Sequence, residues 1–181
     1  MLQTPFAALA LAAAVSAMSG CGGSSKTVSS TAPTTHSGAA STPALPPATP
    51  VAVATGTPLT RAQLLASADA ICARRNARLE SVAIKSTADF IRMMPQIAIY
   101  NTTQANELSK LVPPASMRSV WTVILTDFHR YGEYMNRLAA YAPQRNPAVL
   151  GATLKSSERL RARLDALAKR EGFKQCSKRR A

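Results

Sequence analysis

Apolar residues between positions 59 and 181 recur at intervals of three and four, which is the period of an amphipathic α-helix. The clearest run predicts one helix with a continuous apolar seam, formed by Met117, Trp121, Ile124, Phe128, Tyr131, Met135 and Leu138. Three less regular runs predict helices before and after it, and no stretch alternates with the two-residue period of a strand. The pattern predicts an all-α domain with four helices.

Residues that start and stop helices bound these runs. Thr60 and Gln63 have the spacing of a capping box before the first helix. Asn146 followed by Pro147 is typical of the start of a helix, here the fourth. Gly172 can supply the left-handed residue that ends it. Because the connections between the helices are short, we expect an antiparallel four-helix bundle.

The second predicted helix contains a proline. It starts near Thr87 and ends before Pro113, and Pro95 lies inside it. Proline removes one helical hydrogen bond and crowds the preceding turn. We therefore expect Pro95 to kink this helix or to split it in two.

The amino terminus has the form of a bacterial lipoprotein signal. An apolar run, residues 6–17, leads into Met18-Ser19-Gly20-Cys21. The run is too short to span a membrane but has the length of a signal-peptide core. We expect residues 1–20 to be removed and Cys21 to carry a diacylglyceryl group on the extracytoplasmic side of the cell membrane. Residues 1–5 lack the Lys or Arg usual in a signal peptide, which a start codon further upstream would explain. The alternative to lipidation is ordinary secretion, with Cys21 lost or left as a free thiol.

A region of low complexity follows the predicted signal. Residues 22–58 consist mainly of Ser, Thr, Pro, Ala and Gly, and Lys26 is the one charged residue among them. Such a composition buries too little apolar surface to offset chain entropy. We therefore divide the chain into a signal peptide (1–20), a lipidated and disordered linker (21–58) and a bundle domain (59–181).

The cysteine count agrees with an exported protein. Of three cysteines, Cys21 would be consumed by the lipid, which leaves Cys72 and Cys176. One remaining pair is what an oxidising compartment allows as a disulfide.

Three short segments together resemble a known layout. They are Ala68-Asp69-Ala70-Ile71-Cys72, Pro113-Pro114, and Glu171-Gly172-Phe173 followed by Cys176. The combination resembles uncharacterised secreted and lipid-anchored proteins of high-GC Gram-positive bacteria that carry a small helical domain. The resemblance implies the same architecture and a disulfide between the two cysteines, and it implies no catalytic residue.

Motifs for catalysis or for a cofactor are not apparent. His129 is the one histidine of the predicted domain, and the paired Glu-x-x-His motifs of a di-iron bundle are lacking. We predict no enzyme activity, no metal and no cofactor, and interpret His129 as an exposed side chain near Glu133. The ladder Arg161, Asp165 and Lys169 has the spacing of a solvated helix face.

A ligand carrier is the alternative function. Trp121, Tyr131 and Tyr134 on the third helix could line a cavity for a small apolar molecule, and His129 with Met135 could hold haem. Aromatic residues at helical spacing are more often plain core.

The positive charge suggests a partner. The formal net charge is +13, and because Lys26 alone precedes the domain, residues 59–181 carry +12. The main arginine clusters are Arg74, Arg75 and Arg78 on the first helix and Arg159, Arg161 and Arg163 on the fourth. For an exported protein we expect anionic lipid or an anionic cell-wall polymer, and no nucleic acid, bound with strong salt dependence. The alternative is that these residues only solvate the bundle.

These observations predict a lipid-anchored surface protein that acts as a non-enzymatic binding module. No pattern in the sequence indicates an oligomeric state.

The anchor is testable by mass. Protein extracted from the native membrane should begin at Cys21 and carry the added mass of a diacylglyceryl group, measured by intact mass spectrometry. Cys21→Ala should release the protein from the membrane or leave it unprocessed. A soluble product cleaved at another position would contradict this prediction.

Overall fold

The computed structural model describes residues 45–178. The four α-helices are α1 (Arg61–Glu80), α2 (Thr87–Leu108), α3 (Arg118–Tyr141) and α4 (Pro147–Glu171). Single 3₁₀ turns, Ala115–Met117 and Ala142–Gln144, precede and follow α3. Within this range there are helices and no strands, which confirms the predicted all-α bundle.

Part of the sequence interpretation lies outside the described residues. The predicted signal peptide, Cys21, the first part of the predicted linker and residues 179–181 belong to that part. Among the described helices, none is long and apolar enough to cross a membrane.

Consecutive helices pack antiparallel to one another. Thr102 in α2 lies against Gly132 in α3, with 3.6 Å from the threonine Oγ1 to the position that a Cβ on Gly132 would take. Ser109 follows Thr102 in the chain, and it contacts His129, which precedes Gly132. The two helices therefore run in opposite directions. The start of α1 meets the end of α4, where Arg61 donates to the carbonyl of Glu171 at 2.9 Å.

The predicted helix ends are confirmed at both ends of the bundle. The Thr60 and Gln63 side chains form the capping box of α1. Asn146 accepts hydrogen bonds from the first turn of α4. Gly172 ends α4 with φ 94°, a left-handed conformation that strains residues with a Cβ.

Pro95 does not split α2. The helix runs without interruption from Thr87 to Leu108. Pro95 is exposed, whereas Met94 and Ala98 on either side of it are buried in one apolar cluster. Packing of that face holds the helix together across the proline.

The core is centred on the seam of α3. Trp121 is buried and stacks on Phe173, with 5.8 Å between ring centroids. The predicted seam is buried along its length except at Tyr131, which is partly exposed. A second, smaller cluster around Met94 and Met135 fills the other end of the bundle.

The folded region begins earlier than residue 59. Val51 and Val53 pack against the main core, and the Val51 N–H donates to the Thr126 hydroxyl at 3.1 Å. Arg130 donates to the carbonyls of Leu45 and Pro46. Residues 45–58 therefore lie along α3, which corrects the predicted linker boundary. Val51 and Val53 supply apolar surface to this contact. The mean composition of residues 22–58 did not reveal it, because most of their neighbours are small or polar.

The carboxyl-terminal tail folds back onto α1. Cys72 and Cys176 form the predicted disulfide, with 5.0 Å between their Cα atoms and a sequence separation of 104. The Asp69 carboxylate accepts the backbone N–H groups of Lys174, Gln175 and Cys176 at 2.9, 2.8 and 3.2 Å. A cross-link over so long a loop contributes about 4–5 kcal/mol in the chain-entropy model.

Asp69 should matter for stability although it is not part of the core. Asp69→Ala removes the acceptor of three N–H groups, and we expect the free energy of unfolding to fall by about 1–3 kcal/mol. Urea denaturation with the disulfide intact measures this change. Glu80→Ala, at the exposed end of the same helix, is the matched control and should change little. Equal effects of the two substitutions would contradict the role given to Asp69.

Candidate functional site

The six arginines predicted to bind polyanions do not form one surface. Arg74 is exposed and pairs with Glu107 at 2.7 Å. Arg163 is exposed and pairs with Asp127, which is buried.

Arg78 and Arg159 are exposed, and Arg78 lies over the ring of Tyr100, 5.8 Å from its centroid. These four residues face water, and two of them are already neutralised by a carboxylate.

The predicted solvated ladder on α4 is wrong for two of its three members. The Arg161 side chain is 14% exposed and that of Asp165 is 9% exposed, and they pair at 2.7 Å. Spacing of four residues places such a pair on one face of a helix but does not tell which way that face points. Here the face turns toward α1 and the tail, so the pair is buried and only Lys169 remains exposed.

Arg161 is held by the carboxyl-terminal tail. Its Nη2 donates to the carbonyls of Cys176 at 3.1 Å and Lys178 at 3.4 Å. Its guanidinium lies over the ring of Tyr131, 5.8 Å from the centroid. Its Nη1 is buried and has no hydrogen-bond partner in the described part of the chain.

Arg75 is held by amides and not by an acid. Its Nε and Nη2 donate to the Asn101 side-chain oxygen at 3.2 and 2.6 Å, and its Nη1 donates to that of Asn76 at 3.1 Å. Asn101 is itself fixed by a bond to the carbonyl of Ile97, and Asn76 by a bond to the carbonyl of Gln175. Among residues 45–178, no carboxylate forms an ion pair with Arg75.

The two arginines share one cavity, which we call the cationic cleft. It has a volume of about 470 Å³ and opens between α1 and α4. Besides Arg75 and Arg161, its lining comprises Leu79, Ile97, Tyr131, Ser157, Glu158 and Lys178. One wall is thus apolar and aromatic, and the other carries three cations and one acid.

Arg75 is a largely buried cation whose charge is only partly compensated. Burial and repulsion from Arg161 together lower the pKa of Arg75 from 12.5 to about 10, while a hydrogen bond with Tyr131 and the charge of Asp165 oppose the change. The group remains protonated at neutral pH, but its charge is poorly solvated. A bound anion would relieve that cost and would use the N–H groups that the amide partners leave over.

Sequence reasoning found the two arginines but missed the groups that orient them. Asn101, which accepts from Arg75, is a buried polar residue on the otherwise mainly apolar face of α2. That interruption was visible in the sequence, and buried polar residues in an apolar stripe indicate a specific partner. Asn76 and the tail carbonyls gave no such signal, because their role depends on where the tail lies.

The haem hypothesis finds no site in this geometry. His129 is half-buried, and its Nε2 lies 2.7 Å from the hydroxyl of Ser109, so the expectation of an exposed histidine is wrong. Met135 is buried in the smaller core cluster. Neither residue lines the cationic cleft.

The three aromatic residues predicted to line a ligand cavity do not lie together. Trp121 belongs to the core, and Tyr134 packs on the smaller cluster beneath Arg130. Of the three aromatic residues proposed to line a cavity, only Tyr131 does so.

In the part of the chain that the structure describes, no three metal-ligating His, Cys, Asp or Glu side chains come together. No protein-family model, no curated protein and no solved structure matches this chain. The argument for function therefore rests on the cleft itself.

The half-buried histidine predicts a pH effect on stability. Burial lowers the pKa of His129, and Glu133 opposes this shift. As the pH falls through about 6.5, the unfolded chain takes up the proton before the folded one, so the protein should lose stability. Urea denaturation between pH 7.5 and about 5 measures the loss.

Variants at the two histidines assign this effect. His129→Gln should flatten the pH dependence of the unfolding free energy in this range. His36→Gln, in the predicted linker, is the control and should leave it unchanged. An unaltered slope in His129→Gln would contradict the assignment.

Proposed function

We propose that this protein is an exported, lipid-anchored binding module that holds an anionic ligand in the cationic cleft. The observation that carries the proposal is the convergence of two poorly exposed guanidiniums on one cavity, one of which forms no ion pair within residues 45–178. A buried cation is costly unless it is paired. A bound ligand therefore explains a largely buried arginine without an ion pair better than packing alone does.

The lining indicates the kind of anion. The Arg161 Nη1 and the free N–H groups of Arg75 would donate to a phosphate or carboxylate. Leu79, Ile97 and the Tyr131 ring offer apolar surface to whatever carries that group. We therefore infer an anionic group attached to an apolar or aromatic body. Glu158 at the same cleft would disfavour ligands with several closely spaced negative charges.

This proposal changes the expected mode of binding. The exposed arginines Arg74 and Arg163 are engaged by acids, so a diffuse cationic surface has less free charge than the sequence suggested. Salt screens exposed charges more than partly buried ones. Binding in the cleft should accordingly depend less on salt than adsorption of a wall polymer to the outer surface would.

The cleft can be tested with a simple probe. Phenyl phosphate combines an anion with an aromatic body, and inorganic phosphate and phenol each supply one half. Calorimetric titration of residues 22–181, which are the mature chain without its lipid-carrying Cys21, should give the tightest binding for phenyl phosphate.

Arginine substitutions test which residues hold the probe. Arg75→Gln removes the charge that has no acidic partner and should weaken phenyl phosphate binding on the order of tenfold or more. Arg78→Gln, one turn further along α1 and outside the cleft, removes the same charge and should have little effect. Equal weakening by both substitutions would mean that only overall charge matters. No binding of phenyl phosphate to the unmodified chain would remove the proposal.

A further inference from the structure

A second concave surface lies at the opposite end of the bundle from the disulfide-bonded tail. This end, here called the base, contains the loop 81–86 and the connection 142–146. A groove of about 530 Å³ opens there between the first turns of α2 and α4. Its walls include Phe90, Ile91, Pro147, Leu150, Leu154 and Arg145. All but the last are apolar.

A further apolar side chain is exposed at the base. Ile84 in the loop 81–86 is 43% exposed, and it lies three residues before Thr87, which lines the groove. Phe90 and Ile91 in the groove are only partly buried against the smaller core cluster. The base therefore presents apolar surface to solvent both in the groove and at Ile84.

The charge around this surface is mostly positive. Arg145 is exposed, adopts a left-handed backbone with φ 52°, and has no ion pair among the described residues. Lys85 is exposed in the loop 81–86. Two acids lie at this end: Asp89 pairs with Arg92 at 2.6 Å, and Glu80 is exposed at the end of α1. Apolar side chains flanked by unpaired cations suit the surface of an anionic bilayer.

The amino-terminal segment of the described residues, 45–59, runs toward the same end. The Leu59 N–H bonds to the carbonyl of Val112, close to the start of α3. Further back along the chain, Val51 bonds to Thr126 and Pro46 to Arg130. The segment therefore descends along α3 toward the base, and the chain leads on from Leu45 to residues 22–44 and Cys21.

We propose that the base of the bundle docks on an anionic lipid bilayer, with the apolar groove and Ile84 against the acyl region and Arg145 and Lys85 among the headgroups. The anchor proposed at Cys21 would keep the bundle close to the membrane, and none of the residues that line the cationic cleft lines the docking groove. The docking itself needs no covalent lipid, because the base presents its own apolar and cationic groups.

Vesicle binding of the unlipidated mature chain, residues 22–181, tests the docking separately from the anchor. It should sediment with vesicles of equal parts phosphatidylglycerol and phosphatidylcholine, and less with phosphatidylcholine alone. Ile84→Ser with Arg145→Asn should weaken partitioning about tenfold or more, since one inserted apolar side chain and one headgroup contact are lost. Asparagine tolerates the left-handed backbone of residue 145.

A matched double variant controls for general loss of charge and apolar area. Ile99→Ser removes an exposed isoleucine from the middle of α2. Arg118→Asn removes an exposed arginine at the first residue of α3, which lies at the opposite end of the bundle from the base. It should bind the vesicles as the unmodified chain does. Equal loss in both double variants, or no loss in the first, would overturn the proposal.

Direct contact with the acyl region gives an independent readout. Trp121 is buried in the core, so a tryptophan introduced by Ile84→Trp reports on the base. Phospholipids with brominated chains should quench the added fluorescence. Absence of quenching, or binding of a free fatty acid in the groove without sedimentation on vesicles, would overturn docking on a bilayer.

The two proposals fail separately. Arg75→Gln should leave vesicle binding unchanged, because Arg75 is not among the residues that line the groove. If the unmodified chain binds vesicles but not phenyl phosphate, the cleft proposal alone is contradicted. If it binds phenyl phosphate but not vesicles, the docking proposal alone is contradicted.

Discussion

The cross-link between α1 and the carboxyl-terminal tail is the constraint on which the rest of the structure depends. Cys72 and Cys176 join residues 104 positions apart, and Asp69 holds the turn beside the disulfide through three backbone N–H groups. Phe173 of the same tail completes the core by stacking on Trp121. Two short sequence segments far apart in the chain thus form one structural unit.

That unit also builds the candidate site. The carbonyl of Cys176 accepts from Arg161, and the carbonyl of Gln175 fixes Asn76, which in turn accepts from Arg75. The tail therefore sets the orientation of both guanidiniums in the cationic cleft. Converging polar groups of this kind cost stability unless each is satisfied, because their charges are removed from water. The disulfide between Cys72 and Cys176 lies beside these polar groups and offsets part of the stability that they cost.

Helix positions and the disulfide were predictable because they follow from local chemistry. Capping residues, the three-and-four spacing of α3 and the count of cysteines each have a meaning that does not depend on distant parts of the chain. The burial of Arg161 with Asp165 was not predictable in that way. Spacing of four places the two on one face, but only the position of the tail decides that this face is covered.

The same distinction explains the other differences. Val51 and Val53 were assigned to the linker because their neighbours are small and polar, yet each finds apolar surface on the bundle. His129 was expected in water, but Ser109 lies at the adjoining end of α2 and partly covers it. In each case the deciding contact joins residues that only the folded topology brings together.

The most direct test asks whether the pinned tail is what forms the anion site. Guanidinium N–H signals of Arg75 and Arg161 can be followed by NMR during a phenyl phosphate titration, in the unmodified mature chain and in a Cys72→Ser, Cys176→Ser variant. The comparison is made at a temperature where circular dichroism reports the same helix content for both. The account predicts shifts of both signals in the unmodified chain and loss of those shifts, with much weaker binding, in the variant. Equal shifts and equal affinity in the two proteins would contradict it.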